Sequence, residues 1–154
     1  MANTGCYRIS GSPNIHNYYS NGNATTDYYA GDLVLMNTDG RLAVAATGAA
    51  STTAGVLGIA LKRAVADSTT DIPVDVIVPD GSEFVMVYAG TTSETLKGTS
   101  AVVTFTAGSQ QVSTTAGTDD VYILDLDPRD GTGKANGRVI VKFVATHLQA
   151  NCDV

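Results

Sequence analysis

The sequence predicts an all-β fold: an antiparallel sandwich or barrel of about eight short strands, preceded by an extended N-terminal arm. Three observations carry this. No helical apolar period persists beyond about ten residues anywhere, short apolar runs alternate at the two-residue period of a strand, and turn-forming clusters of Gly, Asn, Asp and Pro recur between them. With 154 residues the chain fits one domain, and at 44% hydrophobic and 16% charged residues it can fill a core without being disordered.

Residues 1–27 read as an arm rich in Asn, Ser, Gly and Tyr. Five of the seven tyrosines, Tyr7, Tyr18, Tyr19, Tyr28 and Tyr29, fall at or just beyond it. Tyrosine offers a large amphipathic ring at modest entropic cost and is enriched where proteins meet, so these five are candidate partner-binding residues. The competing reading is that the rings cover one end of the domain's own core.

The main domain is expected over residues 28–148. Gly31-Asp32 opens the run Leu33-Val34-Leu35-Met36, and Asn37-Thr38-Asp39-Gly40 supplies a hairpin turn into Arg41-Leu42-Ala43-Val44. After a small-residue loop, Gly55-Val56-Leu57-Gly58-Ile59-Ala60-Leu61 forms a third run, in which glycines admit a close backbone. Residues 62–71 are ambiguous between a short helix and a loop. Val74, Val76 and Val78 share one face of the next strand, with Pro73 at its start and Pro79-Asp80-Gly81 as its turn.

The strand at 83–89 is apolar on both faces. Such a strand is either central in a sandwich or barrel, or covered on its outer side by another subunit, which makes Phe84, Met86 and Tyr88 further candidate partner-binding residues. Residues 101–107 and 110–115 form a Thr-rich hairpin about Gly108-Ser109, expected as an exposed or partner-facing ribbon. Tyr122, Leu124 and Leu126 share a face of the following strand. The loop 127–137 separates it from a closing strand, Arg138 to Ala145, and residues 149–154 are a polar tail.

Charge and motifs exclude several functions. A net charge of −6 with nine scattered basic residues argues against nucleic acid, whose binding rests on clustered Lys and Arg. No apolar run approaches the roughly 20 residues of a spanning helix, and the N-terminus has no signal-peptide pattern, so no membrane association is expected. The two histidines, His16 and His147, stand in no catalytic or metal-binding spacing. Asp125, Asp127 and Asp130 resemble a calcium loop only loosely, because Arg129 occupies a ligand slot, and the plainer reading is a solvated turn. No nucleophile elbow or phosphate-binding glycine motif is present. The expectation is a protein that is not an enzyme and has no catalytic residues, metal or cofactor. Cys6 and Cys152 sit near opposite ends, where a bridge is geometrically possible, but reduced thiols are the default for a chain with no secretion signal.

The ordered set AGDLVLMNTDGRLAVA, AGVLGIALKRA and IPVDVIVPDGSEFVMVYAG, over residues 30–90, resembles the small capsid decoration, or cement, proteins of tailed bacteriophages. The resemblance implies an all-β virion protein on the capsid exterior, made in the host cytoplasm. Its partner would be the major capsid protein, and it would be a homo-oligomer, with a trimer favoured. It would stabilise contacts between major capsid proteins and carry no catalytic residues. The N-terminal segment and the strands beyond residue 98 are additions to such a minimal domain. Alternative readings are another phage structural β-domain, of tail or fibre, and a carbohydrate-binding β-sandwich; the absence of Trp lowers the last.

Overall fold

The computed structural model describes residues 6–8, 14–20, 27, 29–37, 40–44, 57–64, 71–79, 81–104, 110–115 and 119–144. Among these the fold is all-β, with no α-helix and one 3-10 turn, Glu94–Leu96. Eleven strands are formed: β1 (Tyr7–Arg8), β2 (Ile15–Tyr19), β3 (Leu33–Met36), β4 (Leu42–Val44), β5 (Gly58–Ala60), β6 (Pro73–Ile77), β7 (Phe84–Tyr88), β8 (Ser100–Thr104), β9 (Gln111–Ser113), β10 (Val121–Leu126) and β11 (Arg138–Phe143). Two of them, β1 and β2, lie in the stretch expected to be an arm. For these two segments the expectation is corrected: β1 pairs with β7 and β2 pairs with β6, so Tyr7–Arg8 and Ile15–Tyr19 belong to the sheets.

The first sheet runs β2-β6-β5-β3-β4, antiparallel throughout. A parallel bridge between Ser20 and Leu42 joins its two outer strands, so the five strands close into a small barrel. The β3–β4 hairpin forms where the turn residues predict it, with the Asn37 N–H donating to the Arg41 carbonyl and the Gly40 N–H to the Asn37 carbonyl. Val34, Leu42, Leu57, Ala60, Val74 and Val76 fill the interior, with Tyr18 and Met36 packed against them. Val74, Val76 and Val78 are all buried, as their alternation requires. Pro73 stands opposite Tyr19. The neighbouring bonds, Ser20 N–H to Ile72 and Val78 N–H to Asn14, put that pair out of phase with the β2–β6 ladder, so the missing proline N–H costs it no bond.

The second sheet runs β1-β7-β11-β10-β8-β9, and β9 also pairs parallel with β7, closing β7 to β11 into a second five-stranded barrel. Phe84, Met86, Val103, Val112, Ile123, Val139 and Val141 belong to its core, where Phe84 and Phe143 meet edge to face with ring centroids 5.5 Å apart. The β8–β9 hairpin is therefore no exposed ribbon: Ala101, Val103 and Val112 are buried on one side of it. A bulge between Ile123 and Asp125 breaks the alternation of β10. Tyr122 and Leu124 stay exposed while Leu126 turns inward, so the three do not share one face.

The two barrels are copies of one topology, strand for strand, with β2 to β6 matching β7 to β11. The match extends to register. Gly31 N–H donates to Ala60 and Ala60 N–H to Asp32; at the same places Gly98 N–H donates to Ile123 and Ile123 N–H to Thr99. Both glycines sit at positive φ, +93° and +75°, two residues before the strand they lead into, a conformation that glycine adopts without penalty. Leu57 N–H to Val34 matches Asp120 N–H to Ala101, and Ser20 N–H to Ile72 matches Tyr88 N–H to Gly137. The closing pairs, Ser20 with Leu42 and Tyr88 with Val112, are also equivalent.

Among the described residues the barrels are joined by shared packing, by a side-chain tether and by a backbone hydrogen bond. Leu33 and Ile59, from the outer side of the first barrel, are part of the same buried cluster as the second barrel's core, with Leu35 and Ile77 packed against it. Gln110 is fully buried; its side chain accepts from the Leu33 N–H at 2.6 Å and donates to the Leu33 carbonyl at 3.4 Å, acting as one more strand residue beside β3. Cys6, leading into β1, donates its N–H to the Gly31 carbonyl. Its thiol is free and buried, and burial pushes its pKa well up, which keeps it in the unreactive thiol form. Cys152 lies outside the described residues.

Candidate partner-binding surface

The structure divides the expected partner-binding residues. Phe84 and Met86 are 0% and 1% exposed and belong to the second barrel's core, so they are core residues and not a docking surface. β7 is paired on both edges, with β11 on one and with β1 and β9 on the other, and Val85 is buried as well as Phe84 and Met86. Tyr88 is half-buried against this core, its hydroxyl 2.9 Å from Thr114 Oγ1. Tyr18 packs on the first barrel's core, and Tyr7 enters β1 opposite Val85. Tyr28 lies outside the described residues.

Tyr19 and Tyr29 do reach the surface, at 58% and 36% exposure. The Arg63 guanidinium lies over the Tyr29 ring, 5.1 Å from its centroid, and donates to Asp27 at 2.7 Å. Ile15 and Leu61 are exposed as well and were missed in the sequence, because a single apolar residue in a polar context carries no signal of its own. Register brings them together. Asn17 stands opposite Asp75 and donates its side-chain amide to it at 2.8 Å, while Leu61 donates its N–H to the Asp75 carbonyl. Ile15, Tyr19, Pro73 and Leu61 thus surround the Asn17–Asp75 pair on the outer wall of the first barrel. A second exposed pair, Tyr122 and Leu124, lies on the second barrel. Tyr122 occupies the position equivalent to Ile59, which packs between the barrels.

Charged side chains are concentrated elsewhere, at the loops joining β7 to β8 and β10 to β11. Asp127 is almost fully buried and receives Arg129 through its backbone N–H and its guanidinium, with Arg138 3.6 Å away. Asp130 binds Arg138 bidentately at 2.7 and 2.8 Å. Lys97 bridges Glu94 and Asp125, each at 2.8 Å. Thr92 locks the two loops together: its hydroxyl donates to the Gly131 carbonyl and accepts from the Lys134 N–H, and its own N–H donates to the Lys134 carbonyl. The acidic cluster is therefore a set of carboxylates held by arginine and lysine. This corrects the reading of a merely solvated turn.

These ion pairs make stability depend on pH. The hydrogen bond from Arg129 holds the Asp127 carboxyl below its usual range despite the cost of burial, and the hydrogen bond from Arg138 does the same for Asp130. A depressed folded pKa stabilises the fold above the ordinary carboxylate value of about 3.9 and loses that contribution as pH falls towards the folded pKa. Urea unfolding of the wild type and of Arg138→Leu should therefore give curves that differ near pH 6 and converge as pH falls towards 2. A constant separation would show that Arg138 acts through packing alone.

No group of three or more His, Cys, Asp or Glu among the described residues is placed to hold a metal ion, and His16 is an exposed side chain 2.9 Å from Asn14 Oδ1. No helix among them is long and apolar enough to cross a membrane. No protein-family model matches the chain, and no curated protein matches it.

Proposed function

We propose that the chain is a structural virion protein of a tailed bacteriophage that binds the outside of the capsid and braces contacts between major capsid proteins. The observation that carries this reading is where its resemblance falls. The ordered elements that resemble decoration proteins supply β3, β4, β5 and β6, four of the five strands of one closed barrel, and run on into β7, the first strand of the other. The strands beyond residue 98, which look like additions in the sequence, supply four strands of the second copy of the same barrel.

The distribution of charge supports a binding role over catalysis. Arg41, Arg63, Lys97, Arg129 and Arg138 are each ion-paired within the chain, while Ile15, Tyr19 and Leu61 stand exposed around an amide–carboxylate pair. Such a face suits a large, weakly charged contact. Bracing follows from mass action: a protein that binds the assembled shell better than loose subunits stabilises the shell by its binding free energy at each site. The test is to add the protein to bare capsids and measure occupancy and the temperature of rupture. The reading expects saturable binding and a higher rupture temperature; no binding, or binding with no gain, would overturn it.

A further inference from the structure

The repeat exposes a difference between the barrels that points to a pairing site. In the second barrel the outer edge of β7 is filled along its length. Phe84 and Val85 pair with β1, antiparallel, and Val87 and Tyr88 pair with β9. In the first barrel the equivalent of β7 is β2, with His16 and Asn17 at the positions of Phe84 and Val85. The far end of that edge is closed in the same way, by Ser20 with Leu42. The near end, Ile15 to Asn17, has no strand beside it among the described residues, so the slot that β1 fills on one barrel is open on the other.

The backbone there is aimed outward. Asn14 with Val78 and Ser20 with Ile72 are bonded β2–β6 pairs, so by alternation His16 and Tyr18 also face β6. Ile15 and Asn17 lie between them in the ladder and direct their N–H and carbonyl groups away from it. Within the stretch itself, Ile-His-Asn-Tyr-Tyr holds no lysine, proline or bulge, the usual devices against strand addition. Ile15 and Tyr19 are 48% and 58% exposed on it.

We propose that this edge pairs antiparallel with β2 of a second copy of the chain. Two features select a copy of itself. The open stretch is self-complementary about His16: with His16 opposite His16, each Ile15 lies opposite Asn17 of the second copy, and both outward pairs exchange N–H and carbonyl bonds. The strand is also uncharged, so two chains of net charge −6 can approach along it without setting like charges face to face. Such an isologous pairing closes as a dimer and leaves neither edge open. It rests on the repeat and not on the capsid reading.

Sedimentation equilibrium over a wide concentration range tests it, with two variants. Asn17→Pro removes an outward N–H that the β2–β6 ladder does not use, at an edge position where proline is tolerated; Asn17→Ala removes only the side-chain bond to Asp75. The wild type and Asn17→Ala should double in mass as concentration rises, and Asn17→Pro should remain a monomer with an unchanged circular-dichroism spectrum. Hydrogen exchange on the wild type gives a readout that does not depend on the proline variant folding. The Ile15 and Asn17 amides should gain protection with concentration, and His16 and Tyr18 should be protected throughout. A wild type that stays monomeric or forms trimers, a dimer that survives Asn17→Pro, or Ile15 and Asn17 amides that exchange freely in the dimer would overturn the proposal.

Discussion

Replacing Gly58 by alanine is expected to destabilise the protein by about 3 kcal/mol, at the upper end of the usual cost of overpacking. A Cβ at this position would stand 2.3 Å from the Ile77 carbonyl oxygen and 2.7 Å from Val76 Cγ1. The first of these is backbone of the neighbouring strand and has no rotamer to retreat into. Val76 is fully buried, so its side chain has little room to give. The equivalent position of the second barrel holds Val121, which shows that the topology does not itself require glycine; the tight approach of β6 to β5 does. For a chain of this size the loss corresponds to a fall in melting temperature of about 6–12 °C. Thermal and urea unfolding measure it, and a loss below about 0.5 kcal/mol, the range of an ordinary surface substitution, would show that the two strands are not this close.

Gln110→Ala should cost about 2–3 kcal/mol by leaving buried backbone groups without partners. The side chain is fully buried and completes the hydrogen bonding of Leu33, which β4 does not reach because Val44 pairs with Val34, one residue along. Alanine would orphan both the N–H and the carbonyl of a residue that is itself 0% exposed. Gln110→Glu separates the two halves of the interaction: the carboxylate can still accept from the N–H but cannot donate to the carbonyl, and it buries a charge. Both variants should lower the urea midpoint, with Gln110→Glu recovering part of its loss near pH 4, where protonation restores a donor. Unchanged midpoints would mean that Gln110 does not tie the barrels together.

Much of the first barrel is legible in the sequence because its strands carry local signals. Asn37 and Gly40 mark the β3–β4 turn, and alternation places Val74, Val76 and Val78 inside. Strand β2 is not legible, since four of its five residues are exposed and the one that packs on the core, Tyr18, reads as polar. The repeat is hidden for a related reason. What recurs is a set of backbone hydrogen bonds, while the side chains at equivalent positions diverge with their surroundings: Leu33 against Ser100, Leu57 against Asp120 and Ile59 against Tyr122. Leu33 and Ile59 are apolar because they pack between the barrels; Ser100 and Tyr122 lie on a wall that faces solvent at Tyr122.

The candidate surface was legible in part. Tyrosine enrichment pointed to Tyr19 and Tyr29, but composition cannot separate them from Tyr18, whose alternation turns it inward. Phe84 and Met86 were ambiguous because a central barrel strand and a subunit-covered strand have the same pattern. Asp127 carried a usable signal in Arg129, two residues on, whose backbone N–H and guanidinium both bind it.

The central claim is that one barrel topology is used twice, each barrel closed by the same parallel pairing. Backbone nuclear Overhauser contacts across the two closing pairs test it most directly. Contacts should appear between Ser20 and Leu42 as well as between Tyr88 and Val112. Contacts at Tyr88 and Val112 with none at Ser20 and Leu42 would leave the first sheet open and contradict the repeat.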